Sequence, residues 1–464
     1  MSFVVIGNIG SKLMGFFLLP LYTSWLSPSD YGITDIISVY ASLLLNLVAC
    51  DMADAIFVFP SGAEEGEVKK YFSTGFFFQV FCSCLLALLF WGLSFLPYEN
   101  SFFSNIWFIY FILISSLFQA YSQNFCRGIN KMSVFSFTGI VNSVTIALFS
   151  LLLIPTYGVL GYVVATIAAN IITGLFTFFY SKSYKFLDIA AFSTKHLIEM
   201  LKYSIPLMPT AVIWWLIFGL NRPLVEEYCG LFALGLLAVA GKLPSVMGLS
   251  FNIFQQAWMI TVLEEYKKDG FASYYNKMFQ LVFFAQVVVC MAVTIAAQPF
   301  ITVMTTEQYA EAWKYIPLVT IGTLFSNVSA FAGTVFTATR QSKYTFLSVI
   351  SGGVTSLVLN FALIPFWGLW GACLSVILAH LVSALTRIHF SKRFVEFRNV
   401  GFYVTATAIA IICYLCCFAP SLLLRIVGYV VCFAALFIVN RKQMAWCYQF
   451  VGAKLQGVVR KIRH

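Results

Sequence analysis

Apolar residues in this chain come in long unbroken runs, not in the i, i+3, i+4 stripe of a soluble helix or the alternation of a half-buried strand. A hydrocarbon layer of about 30 Å asks for about 20 apolar residues per crossing helix. Read on that length, the runs predict spans at 3–25, 33–59, 72–96, 106–125, 134–153, 160–180, 204–226, 231–262, 279–303, 316–337, 345–364, 371–390, 401–419 and 425–440, fourteen in all. The first lacks a basic leader and an Ala-x-Ala-like cleavage site, so it is expected to be a retained helix and not a signal peptide.

The pattern repeats. Leu153-Ile154-Pro155-Thr156-Tyr157-Gly158-Val159-Leu160-Gly161 returns as Leu363-Ile364-Pro365-Phe366-Trp367-Gly368-Leu369-Trp370-Gly371, at an offset of 210, and the same offset carries Ala169 onto Ala379 and Ser181-Lys182 onto Ser391-Lys392. Helix, turn, helix and basic stop therefore recur as one unit. Positions so related stand an even number of spans apart, which implies two parallel six-helix bundles related by an axis along the membrane normal, plus two further C-terminal helices. The expected divisions are 1–180 for the first bundle, 181–203 for a linker on the cytoplasmic surface, 204–398 for the second bundle, and 399–464 for the last two helices and a basic tail. Within the linker, Leu197, Leu201 and Ile205 recur at i, i+4 and i+8, as an interfacial helix would place them.

Composition agrees with this reading: 61% of the 464 residues are hydrophobic and 10% are charged, against about 45–50% and about 25% in soluble domains. Charge also gives a direction. Nearly all of the 28 Lys and Arg fall in alternate loops, at 61–70, 127–133, 182–202, 264–277, 340–343 and 387–398 and in the tail from 441, whereas Lys314 and Arg425 fall on the other side. That asymmetry predicts cytoplasmic N- and C-termini. It also accounts for the net charge of +10 without nucleic acid.

Several motifs, in order, resemble the polysaccharide transporter branch of the MATE-like flippase superfamily, which includes Wzx-type O-antigen flippases. They are Asn8-Ile9-Gly10-Ser11-Lys12, Leu26-Ser27-Pro28-Ser29-Asp30-Tyr31-Gly32, Leu201-Lys202-Tyr203-Ser204-Ile205-Pro206-Leu207-Met208-Pro209, Ala240-Gly241-Lys242-Leu243-Pro244, Phe254-Gln255-Gln256-Ala257-Trp258 and the doubled Ile-Pro-x-x-Gly-x-x-Gly. The resemblance implies a multi-pass protein of the bacterial inner membrane, moving undecaprenyl-pyrophosphate-linked oligosaccharide from the cytoplasmic to the outer leaflet for O-antigen, lipopolysaccharide or similar polysaccharide biosynthesis. Its partners would be that glycan substrate, membrane lipids and the polysaccharide polymerisation machinery. A multidrug or cation antiporter of the same superfamily and a membrane-embedded glycan polymerase are the competing readings.

A pyrophosphate headgroup needs cations in a hydrated chamber, and charge in a span is costly to keep. Lys12, Arg222 and Lys242, the basic residues left in or at the ends of spans, are the candidates to bind the headgroup. Asn8, Trp214, Trp215, Gln255, Gln256, Trp258 and Asn360 are candidate glycan contacts, through ring stacking and hydrogen bonds to hydroxyls. Asp51 and Asp54, at i, i+3 on one expected helix face, are candidates for ion coupling, as are Glu226, Glu227 and His380. The competing reading of Arg222 is that it only neutralises Glu226 or Glu227, one turn on, while Arg127, Arg340 and Arg387 are expected to snorkel to the cytoplasmic interface as anchors. Neither cofactor, metal site nor enzyme activity is expected. There is no Gly-x-x-x-x-Gly-Lys-[Ser/Thr] loop, and Cys413, Cys416 and Cys417 lack the second Cys or His pair of a zinc site.

Overall fold

The computed structural model describes residues 14–98 and 100–441. They form helices and short helical turns, with no strand among the described residues. This is the economical solution in lipid, where a helix satisfies its own backbone polar groups. Nine helical runs among the described residues are long and apolar enough to cross a membrane. The chain is an all-α, multi-pass membrane protein.

Three of those runs exceed a single crossing, and glycine shows how two of them are folded. Within Met132–Tyr180, Gly158 takes φ 52° and ψ −125°; within Ser342–Ser391, Gly368 takes φ 54° and ψ −131°. A residue with a Cβ rarely adopts such angles. In an unbroken helix residues 153 and 161 would stand about 12 Å apart, yet a Cβ placed on Gly161 would strike the Leu153 carbonyl, and one on Gly371 would strike that of Leu363. The doubled Pro-x-x-Gly-x-x-Gly is therefore a hairpin turn with the same local geometry in both copies.

Two compact units divide the chain. The first comprises Met1–Lys242, Ile301–Ala312 and Ser356–Ser375. Its helix Pro28–Val48 starts where the sequence directs it: Ser27 Oγ accepts from Asp30 N, Asp30 Oδ2 accepts from Ser27 N, and Pro28 occupies the first turn. The expected span 33–59 is not one helix. Cys50 and Asp51 take φ 50° and 54°, so the chain turns left-handed between Pro28–Val48 and Met52–Val58. The core packs Phe72 on Phe125, ring centroids 4.2 Å apart, with the Tyr121 hydroxyl donating to the Phe72 carbonyl at 2.6 Å.

In the connector, a helix at Thr194–Ser204 is pinned to Glu65–Leu93 by His196 Nε2 to Glu67 Oε2 at 2.6 Å and Tyr71 Oη to Glu199 Oε2 at 3.1 Å, and the segment before it by Lys69 Nζ to Asp188 Oδ2 at 2.7 Å. The second unit comprises Leu243–Phe300, Trp313–Thr355 and Val376–His464. Its core is an aromatic stack of Phe254, Trp258 and Phe331 flanked by Tyr275 and Phe279.

Candidate functional site

In the first unit, the helices Pro28–Val48 and Asn221–Ala240 meet backbone to backbone at two glycines. A Cβ on Gly235 would strike the Pro28 carbonyl, and one on Gly32 the Leu231 carbonyl. Small residues permit such an approach in membranes, and larger ones forbid it. Gly230, at φ 81° and ψ 171°, breaks the second of these helices, in a region of backbone space that only glycine occupies freely.

Further along Pro28–Val48, about 10 to 20 Å from Gly32 by helical rise, a cavity of about 330 Å³ opens. Its walls are Val39, Ser42 and Asn46 on one side and Trp214, Trp215 and Arg222 on the other. Arg222 is oriented by three neighbours. Its Nε lies 3.4 Å from Asp35 Oδ2, and its Nη1 donates to the Phe218 carbonyl and to Asn221 Oδ1, both at 2.8 Å. Its Nη2 meets no acceptor among the described residues and is left to whatever enters. Side chains of both Arg222 and Asp35 are 23% exposed, so solvent screens the pair and the charge is not locked away. Trp215 Nε1 donates to the Val39 carbonyl at 3.3 Å, closing the wall, and a Cβ on Gly219 would meet that indole at 2.5 Å. Trp214 stacks on Phe218 at 5.5 Å, lines the cavity and stays 37% exposed.

The expected site residues separate. Arg222, Trp214 and Trp215 line this one cavity. Asn360, fully buried, belongs to the same unit: its Nδ2 donates to Ser356 Oγ at 3.0 Å, whose hydroxyl donates to the Leu216 carbonyl at 2.8 Å. Asn360 thus backs the helix that carries the two tryptophans. Lys242 Nζ lies over the Tyr31 ring at 5.6 Å. Lys12 and Asn8 fall outside the described residues. Trp258 is a core residue of the second unit, 3% exposed; Gln255 Nε2 donates to the Ala330 carbonyl at 3.4 Å, and Gln256 is exposed. His380 is buried in that unit.

Three expectations are corrected. Arg222 pairs with Asp35 rather than with Glu226 or Glu227, because Glu226 Oε1 instead accepts from the Ser101 amide at 3.0 Å and Glu227 is exposed. Asp51 and Asp54 do not lie inside one long helix, because the left-handed turn at Cys50 and Asp51 places Asp51 at the amino end of Met52–Val58, one turn before Asp54. Arg387 does not snorkel: it is 5% exposed, with Nε donating to Ser348 Oγ and Nη1 to the Ser329 carbonyl, both at 2.9 Å. Ser42 and Asn46 are the cavity residues that sequence reasoning missed, and Asp35 is the missed partner of Arg222. Asp35, near the start of the expected span 33–59, was expected at the membrane interface.

Residues 1–305 match the model of the family described as polysaccharide biosynthesis protein. The chain belongs to that family. A further relative is the capsular polysaccharide biosynthesis protein CapF of Staphylococcus aureus, 22% identical over 198 residues, which are 42% of this chain and 50% of CapF. The chain thus spans about half the length of the curated relative it matches.

Among solved structures, this family member is similar to the lipid II flippase MurJ in an inward closed conformation, at TM-score 0.70 and 16% identity, covering 96% of this chain and 100% of that one. It is also similar to an inward-facing multidrug resistance MATE family transporter of the MOP superfamily, at TM-score 0.63 and 12% identity, covering 82% and 94%. A MOP superfamily transporter from Pyrococcus furiosus, described as having a binding pocket of reverse polarity, matches at TM-score 0.55 and 12% identity over 84% and 93%. At these identities the likeness establishes the fold, and the chemistry has to come from the family and the cavity.

Proposed function

We propose that this chain is a flippase for a lipid-linked glycan. It would carry an oligosaccharide on undecaprenyl pyrophosphate, such as an O-antigen or similar surface repeat unit, from the cytoplasmic to the outer leaflet of the bacterial inner membrane. The observation that carries the proposal is Arg222, a half-buried guanidinium on a cavity wall with an exposed tryptophan beside it. A guanidinium matches phosphate geometry, and an aromatic face suits a sugar ring. Membership of a polysaccharide biosynthesis family supports the glycan part of the reading.

In this mechanism the pyrophosphate displaces Asp35 from Arg222, Lys12 and Lys242 add positive potential, and the polyprenyl tail stays in lipid. The architecture proposed for it is fourteen crossings, arranged as bundles 1–180 and 204–398 with 181–203 between them and 399–464 appended. The glycine-mediated contact of Pro28–Val48 with Asn221–Ala240 is the closure that would part when the headgroup leaves outward. Moving two negative charges toward a positive exterior is favoured by about 4.6 kcal/mol per 100 mV, from about 2.3 per elementary charge.

The test is a vesicle assay with the purified chain and a fluorescent polyprenyl-pyrophosphate oligosaccharide, scored by leaflet accessibility. Flipping that rises with an outside-positive potential, and that a lipophilic drug cation does not compete with, is the expected result. Transport of the drug cation without glycan flipping would make the protein an antiporter. Chain extension of the glycan would make it a polymerase.

A further inference from the structure

The second unit holds a larger and wholly different cavity. An apolar trough of about 530 Å³ runs between the helices Phe271–Met304, Ile316–Ala338, Ser342–Ser391 and Val400–Cys416. Phe283, Phe325, Leu385, Val404 and Ile411 line its length, and Lys392 is the one charged residue in it. The lining positions fix its direction and size. Along one helix they fall at 381, 384, 385, 388 and 392, and along another at 400, 403, 404, 407, 408 and 411. Each series covers twelve residues, eleven steps and about 16 Å of rise, and Lys392 and Val400 stand at the same end. That is about half of a hydrocarbon layer of about 30 Å, the depth of one leaflet.

The mouth of the trough is positive in a way the protein does not neutralise. Of the three basic residues near it, Arg393 donates to Tyr344 Oη at 2.6 Å and Arg398 to Glu396 Oε2 at 2.9 Å. Lys392 is exposed, and no acceptor among the described residues reaches its ammonium. The amino end of Val400–Cys416 opens at the same mouth and adds its dipole.

We propose that this trough binds one anionic glycerophospholipid of the leaflet that Lys392 faces, with an acyl chain along Leu385, Val404 and Ile411 and the headgroup phosphate on Lys392. A trough one leaflet deep suits an acyl chain, whereas a polyprenyl chain would overrun it. The inference goes beyond the transport proposal and does not depend on it.

The experiment is native mass spectrometry of the full chain, released from detergent with equimolar phosphatidylglycerol and phosphatidylcholine of identical chains. It is paired with cross-linking by phosphatidylglycerol carrying a photoreactive acyl chain. Wild type is expected to retain phosphatidylglycerol about fivefold better, the worth of one lysine at an anionic headgroup, and to cross-link at 381–388 and 400–411. Lys392→Gln is expected to erase the preference while keeping residual binding of both lipids. Ala408→Trp, a change at an exposed position on the trough wall, is expected to remove both. Equal retention of the two lipids by wild type, an unchanged preference in Lys392→Gln, or cross-links confined to other helices would overturn the proposal. So would displacement of phosphatidylglycerol by polyprenyl phosphate at equal concentration. The wild-type measurements decide the question even if Ala408→Trp fails to fold.

Discussion

Arg222 and Arg387 both lie within apolar helical runs long enough to cross a membrane, and their surroundings differ. Arg222 lines a cavity, is 23% exposed and faces a carboxylate. Arg387 is 5% exposed and bonded to a serine hydroxyl and a backbone carbonyl. It is also packed so closely that a Cβ on Gly333 would sit 2.8 Å from its Nη1. A buried charge is tolerated better when it is hydrogen-bonded, and the Nε and Nη1 of Arg387 both find neutral acceptors. An intramembrane arginine is therefore a functional candidate only when open space remains in front of it. The contrast marks Arg387 as a packing residue of its unit and leaves Arg222 as the proposed ligand contact.

The sharpest way to break the contrast is Arg387→Ala. Loss of its hydrogen bonds and of buried volume is expected to cost about 3 kcal/mol or more, seen as lower abundance and a lower melting temperature, with glycan export per surviving molecule retained. Normal abundance with export abolished would make Arg387 a functional cation and dissolve the distinction.

Asp35→Asn probes the other side and should be milder. A partly exposed ion pair is worth about 1 kcal/mol or less, so abundance should hold. Removing the competing carboxylate should raise the apparent affinity for lipid-linked glycan by up to about fivefold, read as a lower KM in the vesicle assay. A fall in abundance like that of Arg387→Ala would show that the pair is structural.

The smallest effect concerns the connector, where no ligand is invoked. The Lys69 ammonium, aided by the Ala190 amide, holds the Asp188 carboxyl below its ordinary range. A depressed carboxylate stabilises above its unfolded value of about 3.9 and loses that contribution as pH falls through the lower folded value. Protease resistance of the connector should stay flat from pH 8 to about 5 and weaken only below about pH 4, and Lys69→Ala should remove that acid sensitivity. A loosening already well above pH 5 would contradict the assignment to Asp188.

Much of the fold was legible because it rests on local chemistry. Apolar runs located the helices, Ser27-Pro28-Ser29-Asp30 marked a capped start, and the doubled Pro-x-x-Gly-x-x-Gly marked two hairpins of matching geometry. The left-handed break at Cys50 and Asp51 was hidden because an apolar run continues through it. The site was legible only in part. Arg222, Trp214 and Trp215 stood out as unusual residues, but the choice of Asp35 over the neighbouring Glu226 is made by a contact spanning 187 positions of sequence, and no spacing rule reaches that far. Arg387 resembled a snorkelling anchor because a side chain's direction depends on what packs against it. Trp258 and Trp214 look alike in sequence, yet one lies in an aromatic core and the other faces a cavity.

The central claim is that Arg222 meets the headgroup through its charge, and the most direct measurement is surface glycan per molecule of protein in cells carrying Arg222→Gln or Arg222→Lys. The account predicts normal abundance in both, no export with glutamine and partial export with lysine, since a point charge meets a phosphate without the bidentate geometry. Full export by a normally abundant Arg222→Gln protein would contradict it.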